Sequence, residues 1–268
     1  MKKIGIIGCG NMGEAILKGI VSEKLFSHKR ISVSDADSTK LDRIKKVYNV
    51  NATFNNSLVA KTCNIIIIAV KPQDMGELLA GISEYLNDKK LLVSIAAGIT
   101  TKKINEFIGR DIPVARAMPN MPALINMGFS ALSFSKSVDK GLAKSVVSIF
   151  GCIGDVVEVD EKDLDTITAI SGSGPAYFFY LIEMLIKSGV KLGLKKEVAE
   201  RAAIKTALGS AELLSKFGED AGRLRKKVTS EGGTTEAAFK AFKKSKLGPA
   251  IQKGIKAARD RSKELSGG

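Results

Sequence analysis

The sequence has a single histidine, His28, and no tryptophan in 268 residues. The chain therefore has too few histidines for a histidine-rich metal site, and a mechanism with a histidine base would depend on His28 alone. No metal site is expected. Aromatic residues make up 6% of the chain, which leaves few side chains for the base-stacking surfaces that bind single-stranded nucleic acid. The formal net charge of +14 is spread over both halves of the chain. It suits small anionic ligands, and nucleic acid is not an expected partner.

The three cysteines, Cys9, Cys63 and Cys152, lie far apart and form no CxxC pair. An odd, scattered set argues against a disulfide framework and predicts a reducing compartment. No unbroken apolar run approaches the ~20 residues of a membrane span, because Glu183 interrupts the longest one, 175–186. The apolar run near the N-terminus is too short for a secretory signal. The sequence therefore predicts a cytoplasmic protein with no membrane partner.

Residues 1–160 alternate short apolar runs with amphipathic stretches. The run Ile65–Val70 is nearly all β-branched and shows no alternation, as expected of a strand buried on both faces of a parallel sheet. Similar runs cover 3–7, 30–34, 91–95, 114–117, 129–132 and 156–159. Strands separated by helices predict right-handed crossovers. The first domain, 1–160, is therefore predicted to be α/β, with a Rossmann-type doubly wound sheet that binds a dinucleotide.

The second domain, 161–268, is predicted to be all-helical. Helical periodicity covers 162–170, 175–191, 195–216, 234–244 and 249–265. The segment 176–182 is apolar on nearly every side, and a helix without a polar face must be enclosed by other helices. A homodimer that packs this helix against its copy is expected.

The sequence Gly8-x-Gly10-x-x-Gly13 follows the first predicted strand and opens a helix. In this context Gly8 permits a tight turn, Gly10 lets the backbone approach a pyrophosphate, and Gly13 lets the helix pack against the sheet. The N-terminus of that helix offers N–H groups to the phosphate charge. The pattern indicates dinucleotide binding, although glycines at such a turn can also serve the turn alone.

Asp35 follows the second predicted strand, about 20 residues after the glycine loop. An acid at this place accepts hydrogen bonds from the adenosine ribose and repels a 2′-phosphate, which favours NADH. The nearby Lys40 and Arg43 weaken that inference, and a surface residue that starts a turn is the alternative interpretation of Asp35. Lys71 and Pro72 end the Ile-rich strand, at the edge where ligand crevices of such sheets lie.

Two segments rich in hydroxyls and glycines stand out in the helical half: TAISGSGPAY at 168–177 and VTSEGGTTE at 228–236. The second precedes the helical pattern that begins near Thr234. Hydroxyl caps and exposed N–H groups at a helix start can bind a carboxylate. An ordinary capped helix is the alternative interpretation.

The motifs GCGNMG, AVKPQ, SIAAGIT, ARAMPNMP, TAISGSGPAYFF and VTSEGGTTEAAF follow one another from end to end of the chain. Together they resemble the pyrroline-5-carboxylate reductases. The resemblance implies a Rossmann domain followed by a helical dimerisation domain, with homodimers that assemble further, up to a decamer. It also implies reduction of Δ1-pyrroline-5-carboxylate, a small molecule, to L-proline with NADPH or NADH, the last step of proline biosynthesis.

The same resemblance implies roles for individual residues. With Asp35 added from the spacing argument, the cofactor contacts are Ile7, Gly8, Cys9, Gly10, Asn11, Met12, Asp35, Asn56, Ala69, Val70, Lys71, Pro72 and Ala97. The substrate contacts, donated across the dimer interface, are Ser230, Gly233, Thr234 and Thr235. Thr235 is the expected catalytic residue: its hydroxyl hydrogen-bonds the imine nitrogen while main-chain N–H groups around 230–235 bind the carboxylate.

Two positions depart from the pattern of this family. Many relatives have serine or threonine where Asp35 stands, and the acid favours NADH over NADPH. Relatives usually have proline where this chain has Glu231. The Glu231 side chain is expected to point to solvent, since otherwise its charge would weaken binding of a carboxylate substrate.

Two other functions remain open on the sequence. A β-hydroxyacid dehydrogenase also joins a Rossmann domain to a helical domain and uses a helical lysine as acid and base; Lys187 and Lys191 are available. A non-enzymatic nicotinamide-sensing protein would bind the cofactor without turnover, and the intact 228–235 segment argues against it.

Overall fold

The computed structural model describes residues 2–265, which form two compact units. The first contains the chain up to Ser173 together with the part from Ala258 onward, and the second is Gly174–Ala257.

The first unit contains one eight-stranded sheet. Its strands are β1 (Ile4–Ile7), β2 (Ile31–Ser34), β3 (Asn51–Thr53), β4 (Ile65–Ile68), β5 (Leu91–Ser94), β6 (Val114–Pro119), β7 (Gly128–Phe134) and β8 (Gly154–Glu158). They lie in the order β3-β2-β1-β4-β5-β6-β7-β8, and each pair is parallel except β6–β7. The predicted fold class is confirmed.

Helices connect the strands of the first unit and make up the second. They are α1 (Asn11–Ser22), α2 (Ser38–Tyr48), α3 (Asn56–Thr62), α4 (Met75–Ile82), α5 (Thr101–Ile108), α6 (Lys140–Gly151), α7 (Leu164–Ile167), α8 (Gly174–Lys191), α9 (Lys196–Phe217), α10 (Ala221–Lys227), α11 (Thr234–Lys244) and α12 (Leu247–Leu265). A π-helical turn, Thr168–Gly172, follows α7. The sequence did not predict β3, α3, α4 or α10.

Strand β4 lies between two apolar cores. Its four isoleucines are completely buried, and successive side chains point to opposite faces of the sheet. Ile65 and Ile67 pack with α1 and α6 in one core, whereas Ile66 and Ile68 pack with α4 and α5 in the other. Because both faces are covered, this strand shows no alternation of apolar and polar residues, as its sequence indicated.

The antiparallel pairing of β6 with β7 follows from a short connection. Residues 120–127 contain only a 3-10 turn, Met121–Ile125, and a parallel return needs a crossover of about a dozen residues or more. Strand β8 is again parallel to β7, since α6 supplies the crossover. Both strands extend the sheet, as predicted.

The segment just beyond residue 160 is bound to the sheet. Buried Arg116 on β6 contacts Glu161 at 3.1 Å, and the same carboxylate oxygen accepts the Thr101 N–H at the start of α5 at 2.7 Å. Farther along, Asn120 donates to the Ser171 hydroxyl at 3.1 Å. Residues 161–173 therefore group with the first unit, whereas the sequence places the boundary after residue 160.

Large apolar side chains are exposed on the second unit. On α8, Phe178 and Tyr180 are 64% and 63% exposed. Among the described residues one helical stretch, Glu161–Lys191, has the length and composition of a membrane span, and 11% of its most apolar window is buried. The longest unbroken apolar run is shorter than a span, as the sequence indicated, but this stretch reaches the composition because one or two charged residues are compatible with it. A helix that packs against other helices can have the same length and composition.

Candidate functional site

The glycine loop joins β1 to α1 and has the geometry that its spacing predicts. Gly8 adopts φ +95, and a Cβ there would lie 2.6 Å from the Ala69 carbonyl oxygen. A Cβ on Gly13 would lie 2.1 Å from the Gly8 carbonyl oxygen. Both positions therefore require glycine, one for the turn and the other for the close approach of α1 to the loop.

Gly10 differs from the other two glycines, since no atom lies within 4 Å of the position of an added Cβ. It is also the N-cap of α1, and no side chain caps that helix. The first N–H groups of α1 are thus free of helical partners beside an open space. These features fit a dinucleotide pyrophosphate.

Asp35 lies directly after β2, and its carboxylate faces the glycine loop. Oδ2 accepts the Cys9 N–H at 2.6 Å and Oδ1 accepts the Asp37 N–H at 2.9 Å. Lys40 Nζ lies 3.7 Å from Oδ1, and the Asp35 side chain is 12% exposed. Asp35 therefore starts a turn, as one interpretation of the sequence held, but it also fixes the loop and places a carboxylate at the cleft.

Arg43, the second cation near Asp35, is paired elsewhere. Its guanidinium makes a two-pronged contact with the Glu14 carboxylate, which also accepts the Tyr48 hydroxyl at 3.1 Å. The hydrogen bond from Arg43 is the main cause that lowers the pKa of Glu14. In this arrangement Lys40 remains as the cation beside Asp35 at the cleft wall.

A cleft of about 1070 Å³ runs along the carboxyl ends of the parallel strands. Eight of the predicted cofactor contacts line it: Ile7, Gly8, Gly10, Asp35, Asn56, Ala69, Val70 and Lys71. The other predicted contacts, Cys9, Asn11, Met12, Pro72 and Ala97, are not among its lining residues. A buried hydroxyl at the cleft wall, that of Ser34, has no hydrogen-bond partner within residues 2–265.

The cleft has a further wall that the sequence analysis missed. Thr53 and Phe54, at the carboxyl end of β3, line it together with Asn55. Phe54 is 63% exposed, so its ring is accessible at this wall of the cleft. The signal for this wall is weak in the sequence, because β3 is three residues long and has no apolar run.

Cys9 lies in the glycine loop but points into the core. Its side chain is 2% exposed, and Sγ contacts the Ser34 carbonyl oxygen at 3.7 Å. Burial, and secondarily the charge of Asp35, raises the pKa of this thiol to about 12. Cys9 thus contributes its N–H to the loop and no reactive thiolate.

The predicted substrate segment lies in the second unit, at the start of α11. Gly233 is the N-cap, and the helix begins at Thr234, as the sequence predicted. No side chain caps α11, so the N–H groups of Thr234, Thr235 and Glu236 have no helical acceptor. Ser230 lies next to this start, because a Cβ on Gly233 would lie 2.4 Å from the Ser230 hydroxyl oxygen.

Glu231 is exposed within its chain, as expected.

The lysines of the dehydrogenase alternative are also solvent-facing. Lys187 pairs with Glu183 at 2.5 Å, and this hydrogen bond raises the pKa of the ammonium. Lys191 is exposed at the last residue of α8. A general acid needs a pKa near the working pH, so this geometry does not support Lys187 in that role.

Comparisons with known proteins match both parts of the chain. Residues 161–265 match a family model described as pyrroline-5-carboxylate reductase dimerisation, and residues 3–98 match one described as NADP oxidoreductase, coenzyme F420-dependent. Pyrroline-5-carboxylate reductase 1 of Bacillus subtilis is 36% identical over 266 residues, which are 99% of this chain and 90% of that relative. The Escherichia coli reductase is 34% identical over 265 residues, with 99% and 98% covered.

Solved structures agree with these matches. The pyrroline carboxylate reductase of Plasmodium falciparum, with NADP bound, has a TM-score of 0.89 at 33% identity and covers 99% of this chain and 98% of its own. A pyrroline-5-carboxylate reductase from Coxiella burnetii has a TM-score of 0.91 at 35% identity, with the same coverage. The chain belongs to the pyrroline-5-carboxylate reductase family.

Proposed function

We propose that this chain reduces Δ1-pyrroline-5-carboxylate to L-proline with NAD(P)H, as the last step of proline biosynthesis. The observation that carries the proposal is the match over 99% of the chain to reductases named for this substrate. The cleft beside the glycine loop supplies a place for the dinucleotide, and the uncapped start of α11 supplies donors for a carboxylate. In this assignment residues 1–160 bind the cofactor and residues 161–268 bind the substrate.

The cofactor is held by the edge of the sheet. Gly10 and the first turn of α1 receive the pyrophosphate, with Ile7, Gly8, Cys9, Asn11 and Met12 forming that loop. Ala69, Val70, Lys71 and Pro72 follow the neighbouring strand, while Asn56 begins α3 and Ala97 follows β5. When bound, the reduced nicotinamide supplies a hydride to the imine carbon of the substrate.

The substrate is held by the start of α11. The N–H groups of Thr234 and Thr235 bind its carboxylate together with the Ser230 hydroxyl, and Gly233 keeps the segment compact. The Thr235 hydroxyl donates a hydrogen bond to the imine nitrogen, where electron density accumulates as the carbon is reduced. Solvent or the substrate itself supplies the proton that completes the amine. Positioning of the two reactants accounts for much of the rate, so no strong base is required.

Asp35 favours NADH within this pair of cofactors. Its carboxylate is fixed at the cleft by two main-chain N–H groups, and Arg43 is committed to Glu14. A ribose hydroxyl can donate to Asp35, whereas a 2′-phosphate would meet its charge. Lys40, at 3.7 Å, offsets only part of that repulsion.

The exposed apolar side chains of α8 are covered by a second copy of the chain. The family model for dimerisation spans this helix, and a homodimer removes the apolar face from water without a membrane. Further assembly to a decamer follows the family resemblance. Free cysteines, two of them buried, fit the reducing cytoplasm as the location.

The test is steady-state kinetics of the purified full chain on pyrroline-5-carboxylate, with NADH and NADPH in parallel. We expect L-proline as the product and a higher kcat/KM with NADH. Turnover of 3-hydroxy acids without imine reduction would instead support the dehydrogenase function, and cofactor binding with no turnover of either substrate would support the sensing function. Light scattering in detergent-free buffer reports the mass, and a monomer that needs detergent would contradict the homodimer.

A further inference from the structure

The segment between α10 and α11 is closed by a side chain that follows the predicted catalytic threonine. Glu236 reaches back along α11, and its Oε2 accepts the Gly232 N–H at 2.7 Å. Gly232 adopts φ +70, a left-handed conformation that glycine tolerates readily. The adjacent Gly233 N–H is also occupied, since it donates to the Ser230 carbonyl oxygen at 3.1 Å.

These two bonds decide which donors of the segment remain for a ligand. The Gly232 and Gly233 N–H groups point into the turn, so the carboxylate donors are restricted to the first turn of α11, from Thr234 onward. The N-terminal side of the segment is held as well, because the Thr229 hydroxyl donates to the Arg225 carbonyl oxygen at 2.7 Å. The Ser230 hydroxyl thus lies in a loop fixed at both ends.

Glu236 also carries a charge at a helix start that receives an anion. Lys240, one turn later, contacts its other carboxylate oxygen at 2.9 Å. The hydrogen bond from Lys240, followed by that from Gly232, lowers the pKa of Glu236. The carboxylate is therefore ionised near neutral pH, and Lys240 offsets its repulsion of the substrate.

We propose that Glu236 is a positioning residue, which holds the Gly232 N–H so that Ser230 and the first turn of α11 present their donors to the substrate carboxylate. The inference rests on the proposed function, because it assumes that the substrate binds at this segment. It assigns to Glu236 no contact with the substrate and no proton transfer. What matters is an acceptor atom at this place, and the negative charge is dispensable.

Three variants separate this role from simple helix stabilisation. Glu236→Ala removes the acceptor, and we expect KM for pyrroline-5-carboxylate to rise about three- to tenfold. Its kcat should change less than KM, and KM for NADH should stay the same. Glu236→Gln keeps an amide oxygen as acceptor and should restore most of the affinity. Lys240→Met, the matched control, loses the ion pair that offsets the charge of Glu236 but keeps the bond to Gly232. Its KM for the imine should therefore rise less than that of Glu236→Ala.

The proposal is overturned if Glu236→Ala leaves KM for the imine unchanged, or if Lys240→Met raises it as much as Glu236→Ala does. If Glu236→Ala fails to fold, inhibition by L-proline is compared between Glu236→Gln and wild type, and a loss of inhibition in the Gln variant refutes the acceptor role. Failure of the proposed function has a different signature, since the wild-type chain itself would then not reduce the imine.

Discussion

Removal of the charge at Asp35 should reverse the cofactor preference. At about 5 Å and an effective dielectric constant near 20, a carboxylate and a phosphate charge repel by roughly 3 kcal/mol. Lys40, with its Nζ 3.7 Å from Asp35, offsets part of this energy and leaves roughly 1.4–2.7 kcal/mol, about tenfold to a hundredfold in relative affinity. Asp35→Asn is the chosen change, because its amide oxygen can still accept the Cys9 N–H that fixes the glycine loop, and only the bond from the Asp37 N–H is lost.

The assay measures kcat/KM for NADH and NADPH at saturating imine. In Asp35→Asn we expect the NADH value to fall, since the amide accepts a ribose hydroxyl less strongly, and the NADPH value to rise. Asp42→Asn is the matched control, as it removes the same charge from an exposed position on α2. An NADH-to-NADPH ratio that Asp35→Asn leaves unchanged, or that Asp42→Asn shifts equally, would refute the electrostatic reasoning.

Thr235→Ala should lower the turnover of pyrroline-5-carboxylate at least about tenfold, a barrier change of ~1.4 kcal/mol. Thr235→Ser keeps the hydroxyl and should keep most of the activity. Unchanged kinetics in the Ala variant would remove Thr235 from the mechanism. Gly8→Ala adds a Cβ 2.6 Å from the Ala69 carbonyl oxygen at φ +95, and we expect a loss of about 1–3 kcal/mol in the free energy of unfolding in urea. Gly81→Ala on α4, where an added Cβ meets nothing within 4 Å, should show no such loss, and equal stabilities would contradict the strain. The Cys9 thiol, with its pKa raised to about 12, should stay protonated in mildly alkaline buffer and resist alkylation by iodoacetamide until urea unfolds the chain. Mass spectrometry measures the rate of Cys9 alkylation. Equal alkylation rates in the folded and the unfolded chain would show that the thiol is not buried.

The central strands could be predicted from sequence because burial on both faces leaves an unbroken apolar signature. Ile65–Ile68 is the clearest case, and the structure places its residues alternately in two cores. Strand β3 has no such signature, since its three residues, Asn51–Thr53, are exposed or half-buried. Its absence from the prediction also hid Phe54 and one wall of the cleft. Short edge strands depend on their neighbours more than on their own sequence.

Within the candidate site, local backbone requirements were predictable and long-range contacts were not. Gly8 and Gly13 serve the turn and the helix approach that their spacing implied. The bond from the Cys9 N–H to Asp35 joins residues on two different strand ends, and no local pattern encodes it. Likewise, the start of α11 at Thr234 was predictable from hydroxyls and glycines, but the return of Glu236 to Gly232 depends on a turn that only the structure shows.

The last helix, α12, finishes in the first unit although it begins in the second. Near its end, buried Ser262 donates to Asp165 at 2.7 Å, and a Cβ on Gly98 would lie 2.7 Å from that of Leu265. A recombinant fragment that stops at residue 173 would thus lose a covering for the loop that carries Ala97. A fragment that contains the whole first unit therefore has to include residues 258–265, either joined through a short linker or added as a separate peptide.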